Sequence, residues 1–417
     1  MRMSRACLFL CLFGLTLASS ARGQAAAAPV DQASPASAPA SPAPAASPAP
    51  QATPSAQEPA SAPASSPAWS AGPIDFSGLI DGYYSFNFNH PASQFNQLYN
   101  FDVRANQFSL NMAKLSLSHT ADPVGFQVDF GFGRAFDMIS TNEKAPEIFR
   151  YIEQAYLSWK PAKAKGFQVD FGKFVTSDGA EVIETNSNWN YSRSLLFAWA
   201  IPYYHFGLRT SFPVGKHFTG GVMVVNGWNN VEDNNTGKTL MFTGTYTAKK
   251  FTWINNFHTG PEKPNTNKGW RNLYDTTLLL TPTPKWNAYL NFDYGSDKNI
   301  GPGSQVWYGA AVAVHYQATG KVSFTPRVEW FNDRDGFATG TGIQQQLKEV
   351  TFTGEYKLPE GLLARLEYRH DWSNQPFFQR GASVSELGGA TYMGPVGTSK
   401  SQDTLTLGVV AFFGPKR

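Results

Sequence analysis

Trp286-Asn287-Ala288-Tyr289-Leu290-Asn291-Phe292-Asp293-Tyr294 is the stretch whose reading decides the fold. Trp286, Ala288, Leu290, Phe292 and Tyr294 share one parity, while Asn287, Asn291 and Asp293 share the other. Successive side chains of a strand point to opposite faces, so a period of two gives one apolar and one polar face. The pattern recurs outward from here. Phe76, Ile80, Tyr84, Phe86 and Phe88 alternate with Ser77, Asp81, Ser85 and Asn87; Phe126, Val128, Phe130 and Phe132 alternate with Gln127, Asp129, Gly131 and Gly133.

Sixteen such runs fill the chain after Pro73: 74–88, 107–119, 124–134, 149–159, 167–174, 203–212, 216–227, 238–247, 250–258, 271–281, 285–294, 305–317, 320–332, 344–356, 361–372 and 404–413. The second passes from Phe108, Leu110 and Met112 to Leu115 and Leu117, a phase slip that predicts a bulge. The facing of the fourth, around Ile152 to Trp159, is ambiguous. Connections after even-numbered runs are tiny. Those after odd-numbered runs are long: 89–106, 135–148, 175–202, 228–237, 259–270, 295–304, 333–343 and 373–403. A soluble sandwich has no reason to gather every long loop at one end, whereas a bacterial outer-membrane barrel does. The expected fold is therefore all-β: a transmembrane antiparallel up-and-down barrel of about 16 strands. Only a closed barrel pairs every backbone group of a sheet in lipid. The apolar parity then faces lipid and the polar parity the lumen, consistent with a mean hydropathy of -0.31. Aromatics near strand ends (Phe86, Phe88, Trp159, Phe167, Trp286, Trp330, Trp372, Phe412 and Phe413) suit interfacial girdles.

The chain begins with Arg2 and Arg5, an apolar run from Ala6 to Ala18 and small residues to Gly23, the pattern of a cleavable secretory signal peptide over 1–24. Both cysteines, Cys7 and Cys11, fall inside it. Residues 25–68 are Ala, Pro, Ser and Gln almost throughout, with 11 of the 28 prolines and no aromatic residue. Such a segment cannot bury enough apolar surface to offset its ordering entropy, so it reads as a periplasmic spacer, with the barrel over 69–417. A net charge of +3 gives no electrostatic case for nucleic acid. Seven histidines without paired spacing, and no GxSxG, P-loop or GxGxxG, leave no catalytic, metal or cofactor motif. Runs 231–237 and 331–336 are rich in Asp and Asn, and tight turns explain them better than calcium loops do.

Candidate functional residues then lie on the inner wall and in the long loops. The thirteenth strand points Arg327 and Glu329 inward, the fourteenth Glu349 and Glu355, and the fifteenth Arg365, Glu367, Arg369 and Asp371. This mixed-sign patch reads either as a stiffening salt-bridge network or as a transverse field that selects permeants. The third long loop carries Asp178, Glu181, Glu184 and Arg193; folded inward, its acids would face Arg327, Arg365 and Arg369 across a constriction. The last long loop is the alternative lid. Leu195 to Ile201 is the one apolar loop segment that an adhesive role could use.

The order and spacing of several short motifs resemble the OmpL-like β-barrel porin family, also called β-barrel porin type 2, across most of 74–413. They are Gly172-Lys173-Phe174 with Gly179 and Glu181; Asn186, Arg193-Ser194 and Pro202; Asn226-Gly227-Trp228 and Asp233-Asn234-Asn235; Arg327 and Glu329 before Asp333-Arg334-Asp335-Gly336; and Arg365-Leu366-Glu367 through Arg369 and Asp371. One departure is the C-terminus, where Gly414-Pro415-Lys416-Arg417 follow Phe413. The resemblance implies an outer-membrane barrel with a pore role, not an enzyme, and marks the charged positions of strands 13 and 15 as shared wall features. The resulting expectation is a water-filled channel for passive diffusion of small hydrophilic solutes or ions, surrounded by outer-membrane lipid and lipopolysaccharide, with a homotrimer as one assembly. The alternatives are a closed structural or adhesive barrel and a membrane-embedded hydrolase.

Overall fold

The computed structural model describes residues 70–71, 73–141, 143, 146–381 and 397–414. The predicted signal peptide and spacer lie outside the described residues. Sixteen strands form one antiparallel sheet that closes on itself. They are β1 (Ile74–Asn87), β2 (Gln107–His119), β3 (Val124–Phe132), β4 (Ile152–Trp159), β5 (Gln168–Val175), β6 (Tyr204–Val214), β7 (Phe218–Val225) and β8 (Thr239–Ala248). The second half holds β9 (Phe251–Pro261), β10 (Trp270–Leu280), β11 (Trp286–Lys298), β12 (Ser304–Gln317), β13 (Val322–Asp333), β14 (Gln345–Lys357), β15 (Leu362–Ser373) and β16 (Ser401–Phe413). Each strand pairs with its sequence neighbours, and β16 pairs with β1 in a register running from Thr404 opposite Asn87 to Phe413 opposite Gly78. The seam is reinforced inside by the Asn87 amide, which donates to Gln402 Oε1 at 3.2 Å.

The facing follows the alternation. On β11, Trp286, Leu290, Phe292 and Tyr294 are exposed on the outer surface, while Tyr289, Asn291 and Asp293 are buried inside. The phase slip in β2 is a bulge: Asp81 faces Met112 and Gly82 faces Leu110, which leaves Asn111 without a partner position. Both Asn111 and Met112 are buried, so the bulge turns two consecutive side chains inward. A second register shift lies between β3 and β4, where Asp129 faces Gln154 and Phe130 faces Ile152. It skips Glu153 and explains the ambiguous facing of that strand.

The long loops are L1 (88–106), L2 (133–151), L3 (176–203), L4 (226–238), L5 (262–269), L6 (299–303), L7 (334–344) and L8 (374–400). Part of L8 lies outside the described residues, so its reading as a lid does too. L3 folds into the barrel. Its one-and-a-half-turn helix, Leu195–Trp199, is capped by Ser194, whose Oγ accepts from the Phe197 N–H at 2.9 Å. Leu195, Leu196, Ala198, Ala200 and Ile201 are wholly buried, so the apolar segment that could have served an adhesive tip is instead interior packing. Two small inward positions make its seat. A Cβ on Gly309 of β12 would come 2.7 Å from Leu196 Cδ2, and one on Gly408 of β16 would come 2.2 Å from the Tyr191 ring. L1 folds in as well: Leu98, Tyr99, Phe101 and Val103 are buried, and the Phe101 ring stacks on Tyr203 with centroids 5.5 Å apart. The polar-lumen expectation therefore needs a correction. Besides these loop residues, Phe174, Met223, Val225 and Met241 form a small apolar cluster on the inner wall of β5, β7 and β8. Packing against one another and their neighbours keeps such residues from facing water.

Candidate functional site

The inner wall of β13–β15 grips L3 (Arg327, Arg365 and Arg369 are each at most 1 % exposed). Arg327 pairs with Glu349 at 2.8 Å and Glu329 at 3.0 Å on the wall, and with Glu181 of L3 at 2.8 Å. Its Nη1 also donates to the Ser192 carbonyl at 2.8 Å. Arg365 pairs with Glu355 at 2.7 Å and donates to the L3 carbonyls of Thr185 at 2.7 Å, Asn190 at 3.0 Å and Asn188. Arg369 pairs with Asp371 at 2.7 Å, donates to the Arg193 carbonyl at 2.7 Å and lies 4.4 Å from the Tyr99 ring centre of L1. Glu367 accepts from the L3 backbone N–H groups of Tyr191 at 2.6 Å and Ser192 at 2.9 Å. A guanidinium fork reaching two carbonyls and a carboxylate at once fixes a loop in orientation as well as in place.

Of the three L3 acids expected to face these arginines, only Glu181 meets one. Asp178 instead accepts from His258 Nε2 of β9 at 3.0 Å, and Glu184 pairs with Lys114 of β2. Arg193 ties L3 to itself through the carbonyls of Val182 at 2.9 Å and Ile183 at 2.6 Å. The reason is geometric: L3 runs so close to the wall that its backbone carbonyls, not its carboxylates, satisfy Arg365 and Arg369.

Sequence reasoning missed a second charged group. Lys114 pairs with Asp129 at 3.2 Å, and also with Glu153 and Glu184, linking β2, β3, β4 and L3. Lys114 follows the β2 bulge that reverses the parity, and Glu153 is itself the extra residue of the β4 bulge, so simple alternation misplaces them. The Asp-rich runs act as turns. Asp333 accepts from the Ala338 N–H at 3.2 Å, and from the Thr339 N–H at 2.8 Å, while Asp233 accepts from the Asn235 N–H at 2.8 Å. Among the described residues no His/Cys/Asp/Glu group is placed to hold a metal ion.

L1 carries a titrating group. Burial pushes the Asp102 carboxyl up to about 7, helped by the negative charge of Glu367 and opposed by Arg369 and Arg193. The folded value exceeds the ordinary 3.8, so the folded chain keeps a proton that the unfolded chain releases between the two. That stabilisation is full below 3.8 and is lost as pH rises through about 7. Amide exchange at Asn96 and Ala105, which donate to Val103 and Gln94 in the L1 turn, is expected to be better protected at pH 5.5 than at pH 8 after correction for intrinsic rates, roughly by the linkage of one proton. Asp102→Asn should flatten the difference; equal protection at both pH values in the unaltered protein would dismiss the effect.

The chain was compared with known proteins. Residues 73–413 match the family described as "Putative beta-barrel porin-2, OmpL-like". No curated protein matches. Among solved structures, the anion-selective porin from Comamonas acidovorans aligns at TM-score 0.53 and 10% identity, covering 82% of this chain and 99% of that one. The in-vitro folded, trimer form of OmpT, an outer-membrane protein of Vibrio cholerae, aligns at TM-score 0.53 and 13% identity with coverage of 82% and 99%. The outer-membrane channel DcaP of Acinetobacter baumannii aligns at 0.52 and 12%, again over 82% and 99%. At such identities the likeness speaks for the fold alone. The family match spans nearly the whole described barrel, and on it the chain belongs to the OmpL-like β-barrel porin-2 family of the outer membrane.

Proposed function

We propose that the barrel passes small hydrophilic solutes by passive diffusion through a lumen narrowed by L3 and L1. The observation that carries this reading is the asymmetry of the interior. L3 is clamped to β13–β15, while the inward polar groups that stay half-exposed, Gln127, Gln168, Arg209, Thr243 and Thr245, lie on β3, β5, β6 and β8. A barrel of this strand number is wide enough for an aqueous channel, and one leaning loop narrows it without filling it evenly. The charged groups Asp178, Glu181, Glu184, Arg193, Arg327, Glu329, Glu349, Glu355, Arg365, Glu367, Arg369 and Asp371 set the position of the constriction and the field beside it. Outer-membrane lipid and lipopolysaccharide would cover the apolar outer face. A homotrimer belongs to the same reading, since one similar structure is a trimer form. The N-terminal 24 residues would direct export and be removed, leaving the Ala/Pro segment as a periplasmic tether. No specific observation favours a hydrolase.

Single-channel recording of the refolded protein in a planar bilayer tests the proposal. Stable ohmic steps are expected. Arg365→Ala with Arg369→Ala should enlarge the steps, because L3 loses two clamps, and should move the reversal potential toward cation preference. A folded barrel that conducts no current would remove the porin reading.

A further inference from the structure

The long-loop end holds a concavity of about 310 Å³ beside the L3 helix, whose Trp199 closes one side of it. It is built by Trp228 and Asn230 of L4, Glu262 of L5, Arg271 at the start of β10, Trp307 of β12 and Phe337 of L7. The Trp307 and Phe337 rings stack at 5.4 Å and 28°, and Trp228 stands edge-on to Trp307 at 6.2 Å and 87°. The walls are thus aromatic faces and edges fixed at right angles.

The charges beside them are already engaged. Arg271 spends Nε and Nη2 on Asp297, each at 2.8 Å, and its guanidinium lies 4.8 Å from the Trp228 ring centre and 5.2 Å from that of Phe337. Glu262 accepts from the Trp228 N–H at 2.8 Å with one oxygen and from Thr239 Oγ1 at 2.6 Å with the other. A charged ligand would have to compete with Asp297 for Arg271, and with the two donors already on Glu262. One polar group is not engaged: the Asn230 carboxamide is 94 % buried, makes no hydrogen bond among the described residues and lines the cavity. Its donor and acceptor are thus both open to a ligand that enters the cavity.

We propose that this cavity binds a neutral saccharide ring. Aromatic faces take the apolar C–H side of a sugar. A carboxamide takes two adjacent hydroxyls, donating to one and accepting from the other. Pockets of this size that combine aromatic rings with convergent polar groups hold ligands of about that bulk. A carboxylate or an ammonium would find its natural partners already paired, and a purely apolar ring would leave Asn230 unsatisfied. The site gives the proposed pore a substrate class at its mouth, and in that role it rests on the porin reading; binding itself does not.

The test is titration of the full barrel with glucose, maltose and maltotriose, followed by intrinsic tryptophan fluorescence and calorimetry, with benzoate as the charged aromatic probe. An amine-oxide detergent is used, because a glycoside head group would compete. Saturable millimolar binding of maltose is expected, weakened about tenfold or more by Trp228→Ala and by Asn230→Leu, and unchanged by Trp286→Phe at the opposite rim. Asn230→Leu keeps the inference testable if Trp228→Ala disturbs L4. Tighter binding of benzoate than of maltose, or maltose binding indifferent to Asn230→Leu, would overturn it. Ohmic steps without saccharide binding sink this inference and leave the pore standing; saccharide binding to a barrel that does not conduct does the reverse.

Discussion

Arg327→Met is expected to lower the urea-unfolding free energy of the barrel in lipid vesicles by about 3–5 kcal/mol, the cost of removing one partner of a buried ionic cluster. The volume is nearly conserved, so the effect isolates the charge. It strands Glu181 and Glu329, both buried and paired with Arg327, and leaves Glu349 only its ion pair with Arg369 at 3.7 Å. It also strips the Ser192 carbonyl of its donor. L3 should then leave the wall, seen as protease cleavage within 176–203 and as larger current steps. Glu181→Gln is the graded control: Arg327 keeps its two wall carboxylates, and the loss should fall to roughly a third of that. An Arg327→Met protein as stable as the parent, with L3 still protected, would mean that the backbone contacts of Arg365, Glu367 and Arg369 hold the loop unaided.

Leu290→Arg is expected to cost about 2–4 kcal/mol of folding free energy, because it puts a guanidinium in the hydrocarbon midplane. Leu290 is outward-facing, 43 % exposed, and sits midway along β11 opposite Leu278 and Val312. Val214→Arg, at the β6 end beside the turn at Gly215, should cost no more than about 1 kcal/mol, since a charge there reaches the interface. The ratio between the two positions is the readout. Equal costs would show that this surface does not face lipid, and the membrane reading would fall with them.

The fold was open in the sequence because lipid on one side and a polar interior on the other impose the period of two on every strand. The run read as 107–119 is β2, Gln107–His119, to the residue. The run read as 149–159 begins later, at Ile152, because Pro146–Phe149 form a helical turn. The inward charges of strands 13 to 15 were equally plain, as was the length of L3. Who pairs with whom was not, since that depends on the path of a loop whose residues show no period. L1 escaped altogether, although Leu98, Tyr99, Phe101 and Val103 are too apolar for a solvated loop. The small residues Gly309, Ala311 and Ala313, all inward on β12, were the available sign that something must sit against that wall. Alternation also failed wherever a bulge reset it, which is how Lys114 and Glu153 were lost.

The seam between β16 and β1 imposes an order on the birth of the barrel. Asn87 and Gln402 are 315 residues apart in sequence, so their meeting joins the two ends of the sheet and comes after every hairpin has had its chance to zip. Gln402 also donates to the Gln97 carbonyl, and Thr404 bonds Tyr99, so the last strand adds its hold to an L1 that Tyr203 and Arg369 already touch. A chain halted before Ser401 would carry two bare sheet edges and an L1 without its bonds to Gln402 and Thr404. The final strand thus closes both sheet edges at once and completes the hold on L1.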